Sequence, residues 1–343
     1  MSRERAIPVV PVALALALSG CSTLFGTKDP PRGDLGCCQA NDGLSVEYLG
    51  TGGWLLRWQS ATVLTAPYFT NLGAAATVLG RVRSDTAIVE NRLPPVRDAD
   101  AILVGHAHFD HLLDVPYVAR VRAPDATIYA SRTAKNILAG DPALDNERVL
   151  AMNEVAGTAD RSGTWVTAAD GRVRIMALVA GHAPHFQGIE LYRGTVDRPL
   201  SELPSRAEDW LGGQTMAYLI DFLDSGGNVA FRVHYQDAAA SSPLGLIPEL
   251  PPGQQAPVDV VILCPPSFSE VESYPEGIIQ NARPRVALLG HWENFLKPLE
   301  ASPGTVPLTD LGEFSRRLER VLPVGSVWRL PDLGEKFTIA RRP

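Results

Sequence analysis

Three of the chain's seven histidines fall within six residues. His106, His108 and His111 stand in the run Gly105-His106-Ala107-His108-Phe109-Asp110-His111-Leu112, directly after the apolar stretch 101–104. A short apolar run of this kind reads as a buried strand. In extended backbone, residues i and i+2 face the same way, so His106 and His108 leave the strand end on one side. Asp110 and His111 follow as the chain turns. Imidazole and carboxylate groups are what zinc accepts. The run therefore predicts a metal site, for one ion or two, at the end of a buried strand.

Around that run the chain alternates strands and helices. Segments 44–49 and 54–58 read as a strand pair around Gly50-Thr51-Gly52-Gly53, and 62–65 extends it. Segment 112–121 reads as a helix, 127–130 as a strand, and 131–139 as a helix capped by Ser131 and stopped by Gly140. In the second half, strands are expected at 165–168, 173–180, 216–223 and 228–234, the last two joined by the turn Asp224-Ser225-Gly226-Gly227. Short buried strands follow at 258–264 and 285–289, then an amphipathic helix at 308–322 and closing strands at 326–330 and 336–340. Strands followed by mixed β/α, twice over, predict two sheets packed face to face with helices outside. Long connections rich in Pro or Gly lie at 187–214 and 239–257, and loops of that length are usually functional or disordered.

The chain's 343 residues suffice for one large domain or two medium ones. A net charge of -7 argues against a nucleic-acid partner, which needs a basic face. At the N-terminus, Arg3 and Arg5 precede an apolar stretch at 7–18 that Pro8 and Pro11 interrupt. It is shorter than the roughly 20 residues that span a bilayer, and reads as a secretory signal. Leu18-Ser19-Gly20-Cys21 resembles the lipobox of bacterial lipoproteins. That resemblance implies a signal peptide at 1–20 and a membrane anchor at a lipidated Cys21. With Ser22 next, it also implies the periplasmic face of the outer membrane. Residues 21–42 then read as a flexible stalk and 43–343 as the folded domain. No later segment reads as transmembrane. Cys37 and Cys38 are adjacent, and either could pair with Cys264 in an oxidising compartment. Cys264, before Pro265-Pro266, reads as buried or disulfide-bonded before it reads as reactive.

The run from Gly105 to Leu112 resembles the first motif of the metallo-β-lactamase fold superfamily. Further motifs follow in that family's order: His182 in Ala180-Gly181-His182, Asp237 in Tyr235-Gln236-Asp237, and His291 in Leu289-Gly290-His291. The resemblance runs from about Leu44 to the C-terminus. It implies an α/β four-layer αββα sandwich with metals between the sheet edges. Carried over position by position, it implies that His106, His108 and His182 hold a first metal and that Asp110, His111 and His291 hold a second. Asp237 would bridge them. The ions expected are two Zn2+, with Mn2+ or Fe2+ as alternatives for such ligands. The chemistry implied is hydrolysis by a metal-bridging hydroxide at an acyl or phosphoryl centre. Asp110, Asp237 and His185 are the candidate catalytic residues. His185 reads as a substrate contact or proton donor, a swapped third ligand in place of His182, or a structural residue. His234 falls on the opposite strand face from Asp237 and reads as a core or supporting residue. Trp292 reads as pocket mouth or as packing. Two positions depart from the family pattern. Ala66 stands in Thr65-Ala66-Pro67 where many members have an aspartate, and Gln236 precedes Asp237 where glycine is usual, which is expected to narrow the pocket.

Within the superfamily, the phrase His182-Ala183-Pro184-His185-Phe186 looks closest to the group containing N-acyl-phosphatidylethanolamine phospholipase D and the ascorbate-phosphate lactonases. That implies a phosphodiester or lactone substrate, small or lipid-like, with β-lactamase activity a poorer fit. A second reading is an iron-dependent oxygenase or oxidoreductase of the same fold, against which stands His108, where flavodiiron proteins have glutamate. A third is a non-catalytic metal-binding surface lipoprotein, against which the full ligand set argues.

Overall fold

The computed structural model describes residues 32–35, 43–185, 187–299 and 304–342. Its strands in chain order are β1 (Gly33–Asp34), β2 (Gly43–Gly50), β3 (Gly53–Trp58), β4 (Ala61–Thr65), β5 (Ala101–Leu103), β6 (Thr127–Ala130), β7 (Val149–Ala151) and β8 (Val166–Ala168). There follow β9 (Val173–Val179), β10 (Met216–Leu223), β11 (Val229–Gln236), β12 (Val260–Leu263), β13 (Val286–Leu289), β14 (Val327–Arg329) and β15 (Lys336–Ala340). They form a seven-stranded sheet ordered β15-β2-β3-β4-β5-β6-β7 and an eight-stranded sheet ordered β1-β14-β13-β12-β11-β10-β9-β8.

The period-two pattern of the strands explains the layers. Leu56, Val63, Ala101 and Leu103 face the other sheet and share one apolar core with Ile175, Tyr218, Ile220 and Val233. Their chain neighbours Leu55, Leu64, Ile102 and Val104 point the opposite way, into a second core with Leu112, Val118, Ala134 and Ile137. On the far side, Ile278 and Ile279 of the helix Glu276–Ala282 and Phe314 and Leu318 of the helix Leu311–Val321 cluster with the apolar residues of β12 and β13. Strands buried on both faces need no alternation of polarity, which is why β12 and β13 read VVIL and VALL. The expected αββα sandwich is what forms.

The pairing brings the ends of several strands to one edge. β4, β5 and β6 run parallel, as do β11, β12, β13 and β14. The end of β9 and the end of β11 lie beside the start of β10. At this edge the Met216 amide donates to the Gly105 carbonyl at 2.8 Å, tying the two sheets together. The Tyr218 hydroxyl adds a second tie at 2.9 Å from the Val104 carbonyl.

Several expectations are corrected. The helix expected at 112–121 is broken into Phe109–Leu112, Val115–Tyr117 and a wide turn at Val118–Arg122. Pro116 has no amide to offer the Leu112 carbonyl, so the first helix stops and a new turn begins. Asp114, between the pieces, is buried. It accepts from the Phe69 and Thr70 amides at 2.7 and 3.0 Å and from the Thr70 and Ser84 hydroxyls at 2.6 Å each. Gly33 and Asp34, read as stalk, pair with β14 instead. Helices at Ala74–Leu79, Thr86–Arg92 and Glu276–Ala282 were not anticipated. The connection 187–214 is packed: the Leu200 amide and the Val196 carbonyl bond to Asn136, on the Ser131-capped helix. The signal at 1–20 and Cys21, Cys37, Cys38 and Phe186 lie outside the described residues. Among the described residues no helix is long and apolar enough to cross a membrane.

Asp221 and Arg232 face each other across β10 and β11 and set their register. Both are buried, and Arg232 donates to the carboxylate at 2.6 and 2.7 Å while Arg174 adds a contact at 2.8 Å. Removing one partner of a buried pair leaves an uncompensated charge. Asp221→Ala is expected to lose roughly 3–5 kcal/mol of unfolding free energy, read by urea denaturation. A loss below about 1 kcal/mol would show that the pair does not hold the register.

Candidate metal centre

The histidines and aspartates that end the strands converge. His106 and His108 follow β5, and Asp110 and His111 sit on the short helix Phe109–Leu112. His182 follows β9, Asp237 follows β11 and His291 follows β13. Three sets of ligand atoms each lie within 4.8 Å of one another: His106, His108 and His182; Asp110, His111 and His291; and His106, His111 and Asp237. The first two sets have the same members as the two sets that the resemblance implies.

Asp237 joins them. Its Oδ2 is 3.1 Å from His106 Nδ1 and its Oδ1 is 2.9 Å from His111 Nδ1, so each oxygen faces one set. The His111 contact is not aligned as a hydrogen bond, and His106 Nε2 and His291 Nδ1 are buried without partners. Two ligands held roughly 2.0–2.2 Å from a shared tetrahedral ion stand about 3.3 Å apart and point at the ion instead of at each other. Asp110 Oδ2 lies 3.5 Å from His111 Nε2 and 3.3 Å from His291 Nε2, in the same manner. The donor set fits two metal ions, which His106, His108 and His182 and Asp110, His111 and His291 would hold, with Asp237 between the two sets.

Residues 63–212 match the family model described as the β-lactamase superfamily domain. The fold is similar to that of CmlA, a diiron β-hydroxylase from Streptomyces venezuelae, with a TM-score of 0.50, 13% identity, and 88% of this chain and 55% of that chain covered. The protein has the metallo-β-lactamase fold. Two further similar structures are Igni18, a metallo hydrolase from Ignicoccus hospitalis, and an isothiocyanate hydrolase from Delia radicum gut bacteria. Igni18 has a TM-score of 0.48 and 14% identity, over 87% of this chain and 98% of that chain. The isothiocyanate hydrolase has a TM-score of 0.46 and 14% identity, over 86% and 99%. No curated protein matches the sequence.

In this metallo-β-lactamase fold the ligands are held by residues with no motif of their own. Glu293, buried two residues after His291, accepts from the Tyr48 hydroxyl and the Thr51 amide. The His291 amide is shared between the Thr51 carbonyl at 2.9 Å and the Tyr48 hydroxyl oxygen at 2.8 Å. The neighbouring Gly52 carbonyl receives the Thr65 hydroxyl at 2.6 Å and lies 2.8 Å from the Tyr235 hydroxyl, which also donates to Asp237 Oδ1. One turn of the seven-stranded sheet, 50–53, thus supports two residues, His291 and Asp237, that follow strands of the other sheet. An acid beside the last histidine in an otherwise apolar stretch was the one signal that could have pointed to Glu293.

Two glycines mark how tightly the ligands fit. A Cβ on Gly52 would lie 2.4 Å from Asp237 Oδ1 and 2.7 Å from His111 Nδ1, and one on Gly105 would lie 2.5 Å from Asp237 Oδ2. Only glycine lets both backbones approach the bridging carboxylate.

Ligation needs ionised carboxylates and neutral imidazoles, and the two aspartates and the rings of His106, His108 and His182 are shifted that way, while Asp237 and Asp110 outweigh burial and raise His111. Burial pushes Asp237 up, but the His111 and His106 imidazoles outweigh it and hold the carboxyl well below its usual range. Asp110 is likewise lowered, with His111 and His291 overcoming burial. Burial, and then the crowd of neighbouring rings, holds His108 and His182 well below the usual imidazole value.

The remaining sequence candidates separate clearly. His182, of the two alternatives, joins the first ligand set, and its Nδ1 lies 2.7 Å from the Ala183 carbonyl. His185 stacks on His182 at 4.6 Å, and its Nδ1 accepts from the Leu191 amide at 3.1 Å. His234 is buried away from the ligands, with Nε2 2.9 Å from the Gly245 carbonyl. Gln236 does not narrow the pocket: it shares His234's strand face and packs against Gly245. Trp292 is packing, its indole donating to the Pro331 carbonyl at 2.9 Å. Cys264 carries a buried thiol with no disulfide partner among the described residues, which do not include Cys37 and Cys38, and burial holds it well above its usual range. Ala66 offers no carboxylate, and the buried acid behind the first motif is Asp114.

Gly52→Ala places a methyl group against Asp237 and His111. The variant is expected to fold with unchanged circular dichroism and to bind metal roughly 10–100-fold more weakly, as when a ligand's support is lost, read by metal titration. Wild-type affinity in that variant would show that the turn does not fix the bridging carboxylate.

Proposed function

We propose that the protein is a two-metal hydrolase, with zinc as its ion and a phosphodiester or lactone as its substrate. The observation that carries this reading is the Asp237 carboxylate divided between the two ligand sets. Zinc pairs of this kind supply Lewis acidity and lower the pKa of water towards about 7. His106, His108, His111, His182 and His291 bring no negative charge when neutral, and Asp110 and Asp237 bring two. A site so composed would stay positive around two divalent ions and would favour a substrate carbonyl or phosphoryl oxygen. Asp237 and Asp110 orient the reacting groups while their own positions are fixed by Tyr235 and the histidines.

His185 has a separate task. Its Nδ1 accepts a backbone amide, so the proton of the neutral ring is on Nε2. Burial lowers its pKa to about 4, so near neutral pH it is an uncharged donor to a substrate or leaving-group oxygen.

The test joins elemental analysis to a substrate panel of phosphodiesters, lactones and β-lactams. Two zinc ions per chain and hydrolysis of a phosphodiester or lactone are expected. His108→Ala should reduce the rate at least about a hundredfold. His185→Ala should retain both metals and lose roughly a hundredfold in rate. The likeness to CmlA, a diiron β-hydroxylase, makes iron the competing ion. Iron without zinc, and no turnover of the panel, would sink the hydrolase reading.

The lipobox resemblance of Leu18-Ser19-Gly20-Cys21 supports a second proposal, that the enzyme is tethered to the cell envelope through Cys21. Expressed in a Gram-negative host, the wild type should label with palmitate and sediment with membranes, and Cys21→Ser should do neither. An unlabelled wild type would remove the anchor.

A further inference from the structure

Three aromatic rings from separate segments meet over the ligand sets. Phe109 is buried, and Tyr192 and Phe295 flank it at ring separations of 6.4 and 6.2 Å. Tyr192 stands edge-on to His108 at 6.1 Å, and Phe295 stands edge-on to His291 at 5.1 Å. His108 belongs to one metal set and His291 to the other, so the aromatic row spans both. Tyr192 and Phe295 are half-buried while the histidines beneath them are buried, which makes these two rings the boundary between ligands and solvent.

The placement of Tyr192 is specific. Its backbone has a φ of 55°, in the left-handed region that side chains other than glycine seldom occupy. Its carbonyl accepts from the Gly212 amide at 3.0 Å. A Cβ on that glycine would lie 2.8 Å from His108 Nε2, so the Tyr192 loop and the metal ligand are packed as one unit. Across the centre, beside His185 and Gly181, the exposed side chains of Ile189 and Leu244 extend apolar surface around the mouth.

We infer that Tyr192 and Phe295 form the subsite for the non-reacting part of the substrate, and that this part is an aryl or similarly flat apolar group adjoining the bond to be cleaved. Aromatic side chains receive such a group by burying its apolar area and by offset or edge-to-face ring contacts. The inference rests on the two-metal hydrolase reading and narrows its substrate class. The position of the rings, one over each metal set, places the flat group within contact of whichever ion takes the reacting oxygen.

The test compares acetohydroxamate with benzohydroxamate, two chelators with the same metal-binding head, by calorimetry on the metal-loaded full chain. Benzohydroxamate is expected to bind about tenfold more tightly or better. Tyr192→Ala and Phe295→Ala should each reduce that advantage to less than about threefold and leave acetohydroxamate affinity and metal content unchanged. Tyr192→Leu and Phe295→Leu, which keep apolar bulk against Phe109, are measured alongside and should lose the advantage likewise, so a loss of metal in an alanine variant does not stop the test. Equal affinity of the two chelators in the wild type, or an advantage that survives in all the variants, overturns the subsite and leaves the hydrolase reading standing. Binding of neither chelator by metal-loaded protein overturns the hydrolase reading and the subsite with it.

Discussion

The Asp237 carboxylate stands within about hydrogen-bond distance of two imidazoles that belong to different ligand sets, and it is almost completely buried. A carboxylate taken out of water is costly unless positive or hydrogen-bonded groups surround it. Here His106, His111 and the Tyr235 hydroxyl do so, and two cations between them would do so more completely. Every other constraint on the fold can be traced to that placement. Asp237 follows one sheet's strand, and His106 and His111 follow the other's, so the two sheets must meet at one edge to within a few tenths of an ångström. Gly52 and Gly105 are the clearance for that meeting, and the bond from the Met216 amide to the Gly105 carbonyl is its fastening.

The inter-sheet core and the buried Asp221–Arg232 pair act on the same distance from further away. The register of β10 against β11 decides where Asp237 emerges. A slip of one residue would turn Tyr235 out of the core and carry the carboxylate to the wrong face. A buried ion pair is weak evidence for net stability but strong evidence for register, because any other pairing of the strands leaves a charge alone. Arg232 stands on β11 five residues before Asp237, which follows that strand, so the pairing of Arg232 with Asp221 bears on where Asp237 emerges.

What could be read from the sequence was what is local. The strands show as short apolar runs, and the alternation of His106 with His108 follows from extended backbone alone. The order of His182, Asp237 and His291 was legible only through resemblance, and the convergence of the three could not be read from spacing, because it depends on strand ends more than fifty residues apart. The broken helix after His111 was missed for a similar reason. Pro116 was visible, but the carboxylate that diverts the chain, Asp114, finds its partners at Phe69, Thr70 and Ser84. Glu293 left only the faint mark of an acid beside the last histidine and Tyr235 left none, since a buried acid or phenol is recognisable as a support only once the group that it supports has been placed.

The mouth of the site lay furthest from sequence reasoning, and there is a physical cause. The candidate ligands sit at strand ends or on the short helix Phe109–Leu112 that follows β5, where regular backbone fixes their geometry. Groups that receive the rest of a substrate tolerate looser placement, and loops supply them. Tyr192 comes from the connection 187–214 and Phe295 from the stretch after His291, and neither segment has a periodicity that marks one residue above its neighbours. What brings them together is their shared contact with Phe109. The contacts that could select a substrate therefore come from the least patterned parts of the chain, while the chemistry comes from the most patterned. Loops could change what reaches the ligand sets without disturbing the Asp237 carboxylate that lies between them.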